Sequence, residues 1–183
     1  PNEDPSFKKV NIPKEIRINE IWNYKHTSKK IENNNIDIVI CHHINDMITF
    51  KEKFKNKKVQ FFNISHCAEK SIFYNKSMPK KYDISLIGIT HAIHQVYPLR
   101  YKIAEIIKNK LLNKFKIYIP KHPGYDIANA SDCKHLEEFA DIINQSKICI
   151  TCSSKYKYRL TKYPEVMTCG TALAADIPDD EPE

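Results

Sequence analysis

An α/β fold built on doubly wound parallel sheets is expected from three observations. Short runs rich in β-branched residues, IDIVIC at 36–41, YDISLIGI at 82–89 and KICITC at 147–152, have the continuous apolar character of strands covered on both faces. Between such runs, apolar residues recur at helical spacing. The two patterns alternate as strand, helix, strand along most of the chain, the rhythm of parallel sheets joined by crossover helices.

Taken in order, residues 1–15 are polar, with prolines and no clear period. Ile18, Ile21, Trp22 and Ile31 suggest a helix over 16–31, closed by an asparagine turn at 33–35. The strand 36–41 follows, then a helix over 46–57 with Met47, Ile48, Phe50 and Phe54 inward, then a strand at 58–65. Residues 67–80 interrupt the rhythm and read as a linker. It restarts with the strand 82–89, a loop at 90–97, and a helix over 98–114 opened by Pro98. Leu99, Ile103, Ile106, Ile107 and Leu111 form the expected buried stripe of that helix. A strand at 115–119, the loop KHPGYD, and a helix over 133–146 with Leu136, Phe139, Ala140 and Ile143 inward come next. The strand 147–152, a polar loop at 153–158, a helix over 161–169, the break at Gly170 and a short apolar strand close the pattern. Two domains are expected, a partial one with its linker at 1–78 and an incomplete one at 79–183, both ends reading as cut.

The net charge of +7 is spread along the chain rather than gathered on one element, apart from the lysines at 51–58. That argues against a nucleic-acid partner. Three of the six cysteines lie in apolar strand-like runs, which reads as reduced, mostly buried thiols in a cytoplasmic protein rather than a disulfide scaffold. No apolar run approaches the ~20 residues of a membrane-spanning helix.

Ligands of open parallel sheets bind beyond the carboxyl ends of the strands. The polar residues expected there are His42, His43, Ser65, His66, Gly88, Thr90, His91, Lys121, His122, Gly124, Ser153, Ser154 and Asp176. The stretch 159–176, RLTKYPEVMTCGTALAAD, adds Arg159, Lys162 and Glu165 at i, i+3, i+6, so that they can share one helix face. Cations suit a diphosphate and a carboxylate suits sugar hydroxyls. Thr161 is the expected N-cap. On spacing alone, Glu165 reads equally as a solvated helix residue.

Other motifs point away from common chemistries. Cys149-x-x-Cys152 sits on a strand, where i and i+3 face opposite sides, and has no second pair. His91-x-x-His94 lacks a neighbouring glutamate. No P-loop, no GxGxxG, no nucleophile elbow and no metal-binding DxD occur.

YDISLIGI followed by YPLR, the HPG loop, and KYPEVMTCGTALAAD running into PDDEPE resembles the C-terminal domain of GT-B glycosyltransferases of the group 1 type, including CgeB-like proteins, over residues 80–183. The resemblance implies two Rossmann-like domains with the active site between them, a nucleotide-diphosphate sugar as donor, and an unknown glycan, lipid or protein as acceptor. It implies donor-binding roles for Gly88 and Thr90 under the diphosphate, His122 near base or phosphate, Ser153, Glu165 on the ribose hydroxyls, and Gly170 and Thr171 at a close backbone approach. Arg159 and Lys162 would offset the leaving diphosphate, so no metal or other cofactor is expected. His66, with His42 and His43, is a candidate acceptor-side base. Relatives carry a second Glu eight residues before the ribose ligand; Lys157 stands there in this chain. A GT-B-fold nucleotide-sugar epimerase and a non-catalytic nucleotide-sugar binding module are the alternative functions.

Overall fold

The computed structural model describes residues 11–19, 23–88, 90, 95–119 and 136–179. The chain divides into two compact units, one ending at Ser65 and the other running from His66 to Asp179. Each is α/β and each is built on a parallel sheet, of three and four strands respectively. The organisation is Rossmann-like.

The first unit contains β1 (Glu15–Ile18), α1 (Tyr24–Asn33), β2 (Ile38–Cys41), α2 (Ile44–Lys53) and β3 (Gln60–Asn63), with sheet order β1-β2-β3. The helix expected over 16–31 is a strand followed by a helix. Glu15-Ile16-Arg17-Ile18 alternates polar and apolar residues, a strand period, and the later isoleucines obscured it. Asn23 starts α1 by accepting the His26 amide at 3.1 Å, and Asn35 ends it in left-handed backbone. Ile18, Val39, Cys41 and Phe61 from the sheet pack with Ile31 of α1 and with Phe50 and Phe54. Phe50 stacks on both Tyr24 and Phe61, at 5.2 and 6.2 Å between ring centroids. Ile48, expected inside, faces solvent at 56% exposure.

The second unit contains β4 (Tyr82–Leu86), α3 (Pro98–Ile106), β5 (Ile117–Tyr118), α4 (Leu136–Asn144), β6 (Ser146–Ile150), α5 (Lys162–Thr168) and β7 (Ala172–Ala174). The sheet order is β5-β4-β6-β7, with Leu86 beside Ile150 and Ile150 beside Ala174. A π-helical turn at Ile107–Leu111 extends α3, its Leu112 amide reaching the Ile107 carbonyl at 3.2 Å. Ahead of that turn the inward face runs through Arg100, Ile103 and Ile107, at i, i+3 and i+7, one position off part of the expected stripe. Ile107 is buried, whereas Leu99 and Ile106 are exposed. Leu136, also expected inside, is exposed at the start of α4.

Residues 67–80, expected as a linker, are a strap packed into the second unit. Phe73 enters the core with Ile87, Ala140, Ile143, Cys149, Val166 and Cys169. The buried Asn144 side chain accepts the Lys76 amide at 2.8 Å and donates to the Tyr74 carbonyl at 3.0 Å. Lys80 Nζ donates to the Asn144 carbonyl at 2.8 Å, and the Lys81 amide to the Gln145 carbonyl at 2.7 Å. The strap thus fixes the chain just before β4.

Candidate functional site

The carboxyl edge of the four-stranded sheet gathers three groups of polar residues. The first joins β4 to β6. Gly88, two residues past β4, holds φ +103°, which L side chains rarely adopt. A Cβ there would fall onto the Arg100 guanidinium, 2.7 Å from Cζ. Arg100 comes from the first turn of α3 and is 3% exposed. Its Nη2 reaches the Cys152 carbonyl at 3.3 Å and Thr151 Oγ1 at 3.5 Å, and its guanidinium lies 4.2 Å from the Tyr97 ring centroid. Thr90, half-buried, follows Gly88.

The second group joins β6 to β7 through Asp176. Ser153 donates to it from both backbone (2.7 Å) and hydroxyl (2.5 Å), Tyr163 Oη at 3.1 Å, and Lys157 Nζ at 3.3 Å. Burial opposes charge on Asp176, but the Ser153, Lys157 and Tyr163 donors outweigh it and hold the carboxyl below its ordinary value. Burial, and then the Asp176 charge, push the Tyr163 phenol up, so it stays a donor. Ser153, expected on the donor, spends its hydroxyl on this clamp.

The third group is the ion pair of Lys162 Nζ with Glu165 Oε2, 2.9 Å long, one turn apart on α5. Glu165 is buried, and the Lys162 ammonium also covers the Phe139 ring at 4.6 Å. An ammonium has three donors, and this bond uses one. Arg159 is half-buried just ahead of α5. Thr161 stands at the N-cap position of α5, as expected, with helical backbone and no side-chain cap bond.

Gly170 and Thr171 lie elsewhere. They precede β7 and therefore sit at the amino edge, opposite the ends of the strands where ligands bind. The Gly170 amide donates to the Met167 carbonyl at 3.0 Å and the Thr171 amide to the Val166 carbonyl at 3.4 Å, the bonding of a Schellman C-cap. Thr171 Oγ1 donates to the Ile143 carbonyl at 2.8 Å. Their positions terminate α5 and seal α4 to the sheet, rather than bringing backbone to a carboxyl-edge ligand.

His66, half-buried, opens the second unit ahead of the strap. In the first unit, His42 Nδ1 lies 2.8 Å from the Ile64 carbonyl, and the buried His43 stands at the N-cap of α2. His122, like His91, Lys121 and Gly124, lies outside the described residues.

No family model, curated protein or solved structure matches the chain.

Among the described residues, no group of three or more His, Cys, Asp or Glu side chains is arranged to hold a metal ion. Cys149 and Cys152 fall in different apolar clusters, the first with Phe73 and Val166 and the second with Tyr97 and Tyr163. Burial pushes both thiols up from their ordinary values, against thiolate chemistry at neutral pH. No described helix is long and apolar enough to cross a membrane.

Sequence reasoning missed Arg100. Its apolar flanks, Leu99 on one side and Ile103 further on, made the helix read as a packing element. The available signal was a lone arginine within one turn of the proline that opens the helix, following a strand that ends in glycine.

Proposed function

We propose that the second unit is the donor half of a metal-independent GT-B-type glycosyltransferase that takes a nucleotide-diphosphate sugar. The observation carrying this reading is the placement, at the carboxyl edge of one sheet, of a side-chain-free backbone position at Gly88 after β4 and of the Lys162–Glu165 pair on the helix that follows β6. Gly88 and Thr90 would receive the diphosphate, and Lys162 with Arg159 would offset the charge that develops as it leaves. Glu165 would exchange its lysine partner for the ribose hydroxyls, which offer it neutral donors in a buried setting. His66, expected in the acceptor-side domain as a base, opens this donor unit instead and would have to act from it.

A second reading is a nucleotide-sugar binding module without turnover. It draws on Lys157, which occupies the position where the resembling enzymes have a carboxylate. Lys157 takes left-handed backbone at φ +59° and turns its ammonium to Asp176.

Nucleotide release from a panel of nucleotide sugars separates the two. Transfer or hydrolysis supports the transferase, and saturable binding without release supports the module. For Glu165→Ala, affinity for the preferred nucleoside diphosphate should fall about tenfold, the ~1.4 kcal/mol scale of one charge-assisted hydrogen bond. Unchanged affinity would remove Glu165 from the site.

A further inference from the structure

The helices α2, α4 and α5 each leave one large apolar side chain exposed, Ile48, Leu136 and Met167. A single exposed apolar residue on a helix is ordinary. The stretch that follows β4 is different. Leu99 and Ile106 of α3, and Leu112 and Phe115 just past its π-helical turn, are 38–51% exposed. The inward positions of the same stretch, Arg100 and Ile107, are buried, so these four form a second, outer apolar surface. Lysines are interleaved with them. Lys102, Lys108, Lys110 and Lys114 are all exposed, and Glu105 is the one acidic residue between positions 99 and 119. Leu99, Lys102 and Ile106 stand at i, i+3 and i+7, on one face of α3. Among the described residues, the carboxylates in ion pairs are held by other cations, and none pairs with these four lysines.

We propose that residues 99–115 are a docking surface for an anionic lipid bilayer, a peripheral contact that lies on the membrane without crossing it. Charge complementarity selects this occupant. Lysine is a compact cation on a flexible apolar stem, so it can rest that stem along Leu99, Ile106, Leu112 or Phe115 while its ammonium reaches lipid phosphates. Four such cations without fixed partners suit a surface of mobile anionic headgroups, which needs no set geometry from the protein. The exposed leucine, isoleucine and phenylalanine side chains then leave water for the boundary between headgroups and acyl chains, as in helices that lie in the interface plane. A site for nucleic acid would use the lysines and leave the aliphatic side chains in water. The proposal does not depend on the nucleotide-sugar reading, and its failure would leave that reading standing.

Cosedimentation of the intact protein with phosphatidylcholine vesicles, with and without phosphatidylserine, tests it. Binding should require phosphatidylserine and weaken as salt is raised. Changing Lys102, Lys108, Lys110 and Lys114 together to Gln should weaken binding by about 100-fold or more, at about 5-fold per charge. The matched set Lys51, Lys55, Lys57 and Lys58 to Gln, from the exposed lysine run of the first unit, should lower it far less. Ile106→Ser with Leu112→Ser keeps every lysine and should weaken vesicle binding about 10-fold, through lost apolar burial. Thermal melts establish that each variant is folded, and Phe115→Ser, beyond the helical turns, repeats the apolar test if the serine pair is unstable. Three results would overturn the proposal: no binding to phosphatidylserine vesicles, equal losses from the two lysine sets, or full vesicle binding in the folded serine variants. A single-stranded oligonucleotide that binds the parent and both serine variants alike, and displaces the vesicles, would assign the lysines to nucleic acid instead.

Discussion

Gly88 and Gly170 stand at opposite edges of the same four-stranded sheet, and both hold positive φ, +103° and +67°. Their surroundings differ in kind. Gly88 lies against the guanidinium of a buried arginine, where backbone is brought close to a charge. Gly170 lies against the Asn75 amide, at the end of a helix whose last carbonyls are satisfied by the Schellman bonds. At the amino edge, Thr171 gives its hydroxyl to the Ile143 carbonyl and Lys80 reaches the Asn144 carbonyl, each bond holding strap, helix and sheet together. Ionised groups occur at both edges, Arg100, Asp176, Lys157, Lys162 and Glu165 at the carboxyl edge and the Lys147–Asp83 and Lys76–Asp141 pairs at the amino edge. A positive-φ glycine is thus a local requirement that serves either chain closure or ligand access. The edge of the sheet decides which.

The largest expected effect comes from placing a methyl group at Gly88. Gly88→Ala must both strain a backbone of φ +103° and displace the guanidinium that its Cβ would meet at 2.7 Å. Together these should cost about 3 kcal/mol in urea unfolding. Full stability in Gly88→Ala would mean that Arg100 retreats freely, and the contrast between the edges would lose its basis.

Gly170→Ala should cost less, about 1–2 kcal/mol, the penalty of a left-handed residue that carries a Cβ. The nearest group, Asn75 Nδ2 at 3.1 Å from that Cβ, belongs to a side chain that can yield by a few tenths of an ångström. Affinity for the preferred nucleoside diphosphate should remain at the parent value, read by calorimetry. A loss of affinity here would return Gly170 to the ligand site.

The contrast also bears on what was legible beforehand. The parallel α/β organisation could be read because IDIVIC, YDISLIGI and KICITC each have the β-branched, continuous apolar character of buried strands. The β1 strand could not, because its four residues merged with the apolar spacing of the following helix. The strap was hidden because its fastening lies in one asparagine 68 residues away, Asn144, rather than in any local pattern. In the site, Lys162 and Glu165 were placed together by their spacing and are bonded. Gly170 and Thr171 were drawn to the ligand by the family resemblance, which implies a close backbone approach there, while a helix followed by glycine reads equally as a C-cap. Composition cannot separate those roles, since the sense of the following strand determines which edge they occupy. Arg100 depended on the same information: only the order β5-β4-β6-β7 sets β6 beside β4, where Arg100 reaches the Cys152 carbonyl.

The smallest expected effect separates the clamps of the two edges by pH. The amino edge is fastened through an amide, Asn144, which does not titrate, with partly exposed Lys76–Asp141 and Lys147–Asp83 pairs of the kind that contributes little. The carboxyl edge is fastened through Asp176, whose carboxyl is held below its ordinary value of 3.8 by the Ser153, Lys157 and Tyr163 donors against the opposing effect of burial. A carboxyl with a depressed folded-state value binds its proton more readily when unfolded. Its stabilisation is therefore complete above pH ~4 and lost as pH falls through the lower folded value. Acid unfolding followed by a probe in the second unit should show a loss on the order of 1 kcal/mol from this group, the scale of one net hydrogen bond. Asp176→Asn should flatten that part of the profile while lowering stability at neutral pH, because the carboxylate accepts four donors at two oxygens and the amide has one acceptor oxygen, so either the Ser153 amide or the Lys157 ammonium is left facing an NH2 group. If the acid limb is the same in parent and Asp176→Asn, the two strand ends are held by packing of Tyr163, Tyr158 and Cys152 rather than by the carboxylate. The two edges would then be fastened by the same kind of force.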